Sequence, residues 1–223
     1  MNIKENLSFY NDQLSEGVKL IAVSKTKPVE TVLEAYQAGQ RVFGENKAQD
    51  MADKQAKLPT DVQWHFIGHL QTNKVKIIAP FVSLIHAVDS LKLLKEINKQ
   101  ALNNNRVIDC LLQFHIAEED TKFGLNMQES SEILSSQEFN ALSNVRISGV
   151  MGMATFTKNT QQVSREFKQL HQNFLQLKST FFANEISFCE ISMGMSDDYK
   201  TALNHGSTMI RIGTGIFGAR NYT

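Results

Sequence analysis

The sequence predicts a (β/α)8 barrel of the TIM type, a single domain spanning residues 1–223. Three observations carry that expectation. Eight short apolar, β-rich runs recur along the chain, at Lys19–Ser24, Arg41–Gly44, Val62–Ile67, Leu84–Val88, Val107–His115, Arg146–Met151, Ile186–Ile191 and Met209–Ile212. These runs are nearly continuous in apolar residues rather than alternating, as expected for parallel strands covered on both faces. Amphipathic helical patterns separate them, which reads as repeated β then α. A doubly wound open sheet has the same alternation; eight strands favour closure. With 223 residues against the ~250 typical of such barrels, the loops must be short.

The helical segments follow from spacing. In 28–38, Val29, Val32, Leu33 and Tyr36 fall at i, i+3, i+4 and i+7, one helix face. Pro28 suits the first helical position and Gly39 the stop. Leu94, Ile97 and Ala101 give a second stripe. Val163, Phe167, Leu170, Phe174 and Leu177 give a third over five turns, in the longest helix. Ser196 suits the cap of a short helix ending at Gly206. Tyr10, Tyr36 and Tyr199 read as helix residues.

Composition excludes several function classes. Lys+Arg and Asp+Glu are both 23, so no net basic field points to nucleic acid or an anionic membrane as partner. No apolar run approaches the ~20 residues that span a bilayer. The polar start, Met1 to Leu14, lacks a secretory apolar region. Cys110 and Cys189 each sit inside an apolar run and read as buried free thiols of a reducing compartment; no paired Cys/His spacing supports zinc. Three prolines and no low-complexity segment argue against a flexible tether. The expectation is a cytoplasmic protein, monomeric or weakly dimeric.

In a barrel, polar residues at the C-terminal ends of strands mark the functional face. Here those ends carry Ser24-Lys25, Glu45-Asn46, Gly68-His69, Asp89-Ser90, His115, Met151-Gly152-Met153, Ser192 to Ser196, and Arg211 to Gly215. The loops after strands 7 and 8 are rich in Gly, Ser and Thr, the pair that builds a phosphate site from backbone N–H groups in many barrels. Asp197 and Asp198 would repel a phosphate and should point away from it. A lysine buried at a strand end costs several kcal/mol unless paired, neutralised or used covalently. Lys25 is thus a rim lysine, a partner of Glu45, or, beside a phosphate site, the amine of a Schiff base with pyridoxal 5′-phosphate (PLP).

The stretches AVSKTKP at 22–28, FGEN at 43–46, WHFIGHLQTNK at 64–74, HAVDS at 86–90, KFGL at 122–125, SMGMSDD at 192–198 and GSTMIRIGTGIFGAR at 206–220 span nearly the whole chain. In that order they resemble the pyridoxal-phosphate homeostasis protein family, whose fold is similar to the barrel domain of alanine racemase. The resemblance implies PLP as cofactor, in a covalent aldimine to Lys25. It implies that Ser192, Met193, Gly213 and Thr214 hold the phosphate, largely through backbone amides, that Arg211 faces the pyridine nitrogen, and that Asn46 lines the ring. It also implies intracellular vitamin B6 homeostasis without established turnover, with PLP-dependent apo-enzymes as recipients. Lys47 and His69 depart from commoner forms of the pattern, at the rim.

Enzyme and carrier differ in chemistry. PLP stabilises carbanions best when its ring nitrogen is protonated; Arg211 can only donate there and would keep it unprotonated. Racemisation also needs a second base opposite Lys25, and the chain stops shortly past strand 8 with no further domain to supply one. The expectation is a carrier, with a weak amino-acid racemase as the alternative, and a barrel binding another phosphorylated ligand as a third reading. His65 and His86 read as packed barrel residues, His171 as a solvated helix residue, His205 as a cation suited to a helix C-terminus, and Met151, Met153, Met193 and Met195 as packing near the mouth. Lys122 marks a possible second, transient PLP site, or more simply a loop lysine beside an acidic loop at 118–120.

Overall fold

A computed structural model of the chain describes residues 2–118 and 123–219. Its eight strands are β1 (Lys19–Val23), β2 (Val42–Glu45), β3 (Gln63–Phe66), β4 (Leu84–Val88), β5 (Ile108–Phe114), β6 (Val145–Gly152), β7 (Glu190–Ser192) and β8 (Met209–Ile212). They close in sequence order into one barrel. Every neighbouring pair is parallel, and β1 meets β8 along Lys19↔Met209 to Ala22↔Ile212. The expected (β/α)8 barrel is the fold. The helices are α1 (Ile3–Asn11), α2 (Val29–Gln37), α3 (Ala48–Gln55), α4 (Val75–Ile78), α5 (Leu91–Asn103), α6 (Met127–Ser135), α7 (Gln137–Asn140), α8 (Thr160–Thr180), α9 (Tyr199–Asn204) and α10 (Thr214–Phe217).

Apolar residues divide between two cores because successive strand residues face opposite sides. The larger core lies between strands and helices; the stripes of α5 (Leu94, Ile97, Ala101) and α8 (Val163, Phe167, Leu170, Leu177) are buried in it. The smaller fills the barrel with Ile21, Leu84, Ala87, Leu111, Met151 and Met209. Each Val, Leu, Ile, Phe or Met side chain fully buried this way contributes roughly 1.5–3 kcal/mol.

Helix ends follow local chemistry. Pro28 stands one position earlier than expected, as the N-cap of α2. Gly39 takes φ +104° just past the C-cap and ends it as expected. Ser90 caps α5 through the Leu93 amide. Ser196 does not cap α9: Asp198 is the N-cap residue, and its carboxylate accepts from the Met195 amide at 2.5 Å.

The seventh strand differs most from expectation. Ile186 is 92 % exposed, and the strand begins at Glu190. The apolar residue that anchors this stretch is Phe188, stacked between Phe174 of α8 and Phe182. The run therefore serves helix packing, not the sheet. Cys189 is exposed, against the expectation of two buried thiols; only Cys110 is buried.

Candidate functional site

The barrel brings the ends of β1, β2 and β8 together. Strands β1 and β2 are registered Val23↔Gly44, so the next steps bring Lys25 level with Asn46. On β1 the two-residue period that places Ile21 in the barrel core carries on through Val23 to Lys25. Lys25 is half-buried. The residue after it, Thr26, has φ +64°, a left-handed conformation that side chains with a branched Cβ adopt reluctantly. On β8 the same period runs Met209, Arg211, Gly213. A Cβ at Gly213 would meet Val23 O at 3.4 Å, so the glycine turn lies against the last residue of β1, two residues before Lys25.

Arg211 is buried beneath this mouth. Its Nη1 donates to Ser192 Oγ at 2.6 Å and its Nη2 to Gly152 O at 3.2 Å. His86 Nδ1 lies 2.9 Å from the same Ser192 oxygen, and His86 Nε2 lies 3.0 Å from His65 Nδ1. A guanidinium can only donate. The assignment that leaves each donor matched is then Arg211 to Ser192, the Ser192 hydroxyl to His86, and His86 Nε2–H to His65. Burial pushes the His65 imidazole down to about 3, with Lys19 adding to the effect, and pushes His86 well below its usual value. Burial also lowers Arg211 to about 10, opposed by Asp198. At neutral pH the column thus holds one cation and two neutral rings. Its lower end, His65, lines a cavity of about 380 Å³ with the ion pairs Lys19–Glu190 and Arg146–Asp109. That cavity sits at the strands' N-terminal ends, the face of a barrel associated with stability rather than chemistry.

The glycine turn is buttressed in part by residues that the sequence did not single out, Asn6 and Lys27. A Cβ at Gly215 would stand 2.0 Å from Tyr10 Oη, so α1 admits only glycine there. Asn6 Nδ2 donates to Ile216 O at 2.9 Å. Lys27 Nζ donates to the carbonyls of Phe217, Gly218 and Ala219 at 2.9, 3.2 and 2.8 Å, which ties the Lys25 loop to the far end of α10. Thr214 Oγ1 donates to Ser196 Oγ at 3.3 Å, joining the loops after β7 and β8. The sequence put Tyr10 on a helix without bounds, and one signal could have placed the start of α1: Asn2 and Glu5 form a capping box, a spacing that marks a helix start.

The structure thus places Lys25, Asn46, Arg211, Gly213 and Thr214 at one mouth. It commits two expected phosphate ligands elsewhere. The Ser192 hydroxyl is buried between Arg211 and His86, and the Met193 amide donates to Met209 O at 3.2 Å in the β7–β8 ladder. Asn46 also lines a cavity of about 360 Å³ with Lys47, His69 and Lys74. Among the described residues Glu45 faces the helix layer and forms its ion pair with Lys54. Asp197 is exposed, and Asp198 turns its carboxylate onto the Met195 amide. His65 and His86 are packed in the barrel as expected, and the half-buried His171 departs from the solvated expectation. Lys122 and the acidic residues 119–120 lie outside the described residues.

The family model for the alanine racemase N-terminal domain matches residues 1–221. A pyridoxal phosphate homeostasis protein of Haemophilus influenzae is 35 % identical over 236 residues, covering 100 % of this chain and 98 % of its own. The chain belongs to the pyridoxal phosphate homeostasis protein family. A second member of the family, from Aquifex aeolicus, is 38 % identical over 206 residues, covering 92 % of this chain and 88 % of its own. PipY of Synechococcus elongatus, solved without PLP, superposes with a TM-score of 0.91 at 34 % identity, over 97 % of this chain and 100 % of PipY. PipY with PLP bound superposes at 0.88. Alanine racemase of Clostridium difficile, at 15 % identity and a TM-score of 0.75, shares the fold over 98 % of this chain and 56 % of its own. The homeostasis-protein family therefore has this barrel as its fold.

Proposed function

We propose that this chain binds PLP and serves vitamin B6 homeostasis in the cytoplasm, carrying the cofactor as a Schiff base on Lys25 without catalytic turnover. The observation that carries the reading is the closure of the 213–215 turn onto the end of β1, two residues before Lys25, with the buried Arg211 on the strand that feeds the turn. The residues fit the group. A primary amine stands at the mouth, a glycine turn with a hydroxyl pair offers donors to a phosphate, and a buried cation offers donors to a ring nitrogen. Relatives named for PLP homeostasis and PipY with PLP bound support the same ligand.

When bound, the cofactor supplies an aldehyde and an electron-withdrawing ring. Lys25 would supply the primary amine that holds the aldehyde, a linkage that another amine could displace by exchange. Thr214, with Ser196 beside it, and the amides of the 213–215 turn would hold the phosphate. Arg211 remains protonated at neutral pH; it would donate to the ring nitrogen and keep it free of a proton, which would weaken carbanion chemistry. Tyr36 and Tyr199 are bonded to Asp61 and Gln13, and Tyr10 is packed on Gly215, so these tyrosines do not serve as a second base. Apo-enzymes as recipients, one domain over 1–223 and a monomeric or weakly dimeric state belong to the same proposal. None of the described helices is long and apolar enough to cross a membrane.

The test is the absorption spectrum of the PLP-treated protein, with borohydride reduction and peptide mapping. A violet-edge band, and reduced cofactor on the peptide holding Lys25, are expected; both vanish in Lys25→Ala. A band that survives Lys25→Ala overturns the linkage. Robust α-proton exchange in a panel of amino acids, lost in Lys25→Ala, overturns the carrier reading in favour of the racemase.

A further inference from the structure

Behind the mouth, in the layer between barrel and helices, lies a buried ion pair. Glu45, the last residue of β2, is fully buried and Lys54, in the last turn of α3, is 6 % exposed. Lys54 Nζ donates to Glu45 Oε1 at 2.5 Å and to the Ser24 carbonyl at 2.8 Å. Ser24 Oγ donates to the same Glu45 oxygen at 2.7 Å. The other carboxylate oxygen, Oε2, is buried with no partner among the described residues.

Stability alone does not account for this arrangement. Two charges removed from water recover their desolvation only with good geometry and further hydrogen bonds, and an apolar pair of similar volume is often as stable or more so. Here half of the carboxylate goes unanswered. What the pair does achieve is a fixed position for one carbonyl. The registered pairing of β1 with β2 ends at Val23↔Gly44. The next carbonyl, Ser24 O, is gripped by Lys54 Nζ and by the Lys27 amide at 3.0 Å. A peptide unit is planar, so holding Ser24 O also fixes the Lys25 N–H and the direction in which Lys25 leaves the strand. Thr26, one residue on, is in a left-handed conformation, which costs about 1–3 kcal/mol and persists where its surroundings over-determine it. Lys25 is therefore set between a clamped carbonyl and a strained residue.

We propose that Lys54 and Glu45 are positioning residues that aim the Lys25 amine and so set how firmly PLP is retained. The proposal rests on the Schiff-base reading of Lys25. Single replacements leave a buried unpaired charge and test folding more than aim, so the informative variant is the apolar double, Glu45→Leu with Lys54→Met. Three quantities are measured on it and on the parent: melting temperature without cofactor, retention of PLP in dialysis, and the position of the violet band. The expected result is a melting temperature like the parent's, retention weaker by about tenfold or more, and a displaced band, since small errors of placement are amplified at a reacting group. Retention and band equal to the parent's overturn the proposal and leave the pair as packing. Should the double variant not fold, Lys54→Arg, which keeps the charge and moves the donor, is read by the same two outcomes. A parent protein that shows no violet band refutes the Schiff-base reading itself, a separate result.

Discussion

At the scale of the residue, Gly215 shows how closely the 213–215 turn is fitted to its support. The Cβ of any other residue would overlap Tyr10 Oη at 2.0 Å. Gly215→Ala must displace either the helix α1 or the turn, and overpacking of this kind costs about 1–3 kcal/mol. For a chain of this size that lowers the melting temperature by roughly 2–4 °C per kcal/mol. Combining it with Tyr10→Phe removes the clashing oxygen and should restore part of the loss; additive losses in the double variant would contradict the contact. His65 makes a second residue-scale prediction. Its folded value is about 3 against an ordinary 6.5, so between those values the unfolded chain takes up a proton that the folded one refuses. Its contribution is complete above pH 6.5 and is lost as pH falls toward 3, at about 1.4 kcal/mol per pH unit for each such proton. His65→Gln, which keeps an acceptor for His86, should flatten the fall of melting temperature between pH 6.5 and 4. Parallel slopes for the two proteins would show that His65 is not the group.

At the scale of the element, the sequence made most of the barrel legible because two periods speak locally. Apolar runs mark parallel strands, and the i, i+3, i+4 stripes of α2, α5 and α8 mark helices, whatever their distant partners. Reading failed where an apolar run serves another purpose: the 186–189 stretch carries Phe188 into a stack with Phe174 and Phe182 instead of forming a strand. It placed Tyr10 on a helix but gave that helix, α1, no bounds, since its start is marked only by Asn2 and Glu5. The candidate site divides in the same way. Lys25, Arg211, Gly213 and Thr214 are visible as strand-end residues, since a barrel gathers all strand ends on one face. The Arg211–Ser192–His86–His65 column is not visible, because its members stand on four strands with no fixed spacing. Nor is the grip of Lys54 on Ser24 O, a contact between residues thirty apart that only the packing of α3 creates.

At the scale of the whole molecule, the barrel is closed unevenly. Strands β5 and β6 are registered at seven positions, from Ile108↔Val145 to Phe114↔Gly152. Strands β7 and β8 are registered only at Ser192↔Met209, helped by the Met193 amide to Met209 O and the Thr208 amide to Ile191 O. The loops that carry Ser196 and Thr214 leave this same seam. Regions with few ladder hydrogen bonds open at lower free energy than the core, so amide exchange without cofactor should be faster at Met193 and Arg211 than at Leu111 and Leu112. A ligand that binds only the closed seam stabilises it by about 2.7 kcal/mol at a hundred times its dissociation constant. That corresponds to a slowing of exchange by about a hundredfold at Met193 and Arg211. The longer β5–β6 ladder is expected to open only with the whole fold, so its amides should slow no more than the global stability rises. If added PLP leaves Met193 and Arg211 exchanging at their cofactor-free rates, the phosphate is not held across the β7–β8 seam, and the 213–215 turn must hold it without the loop after β7.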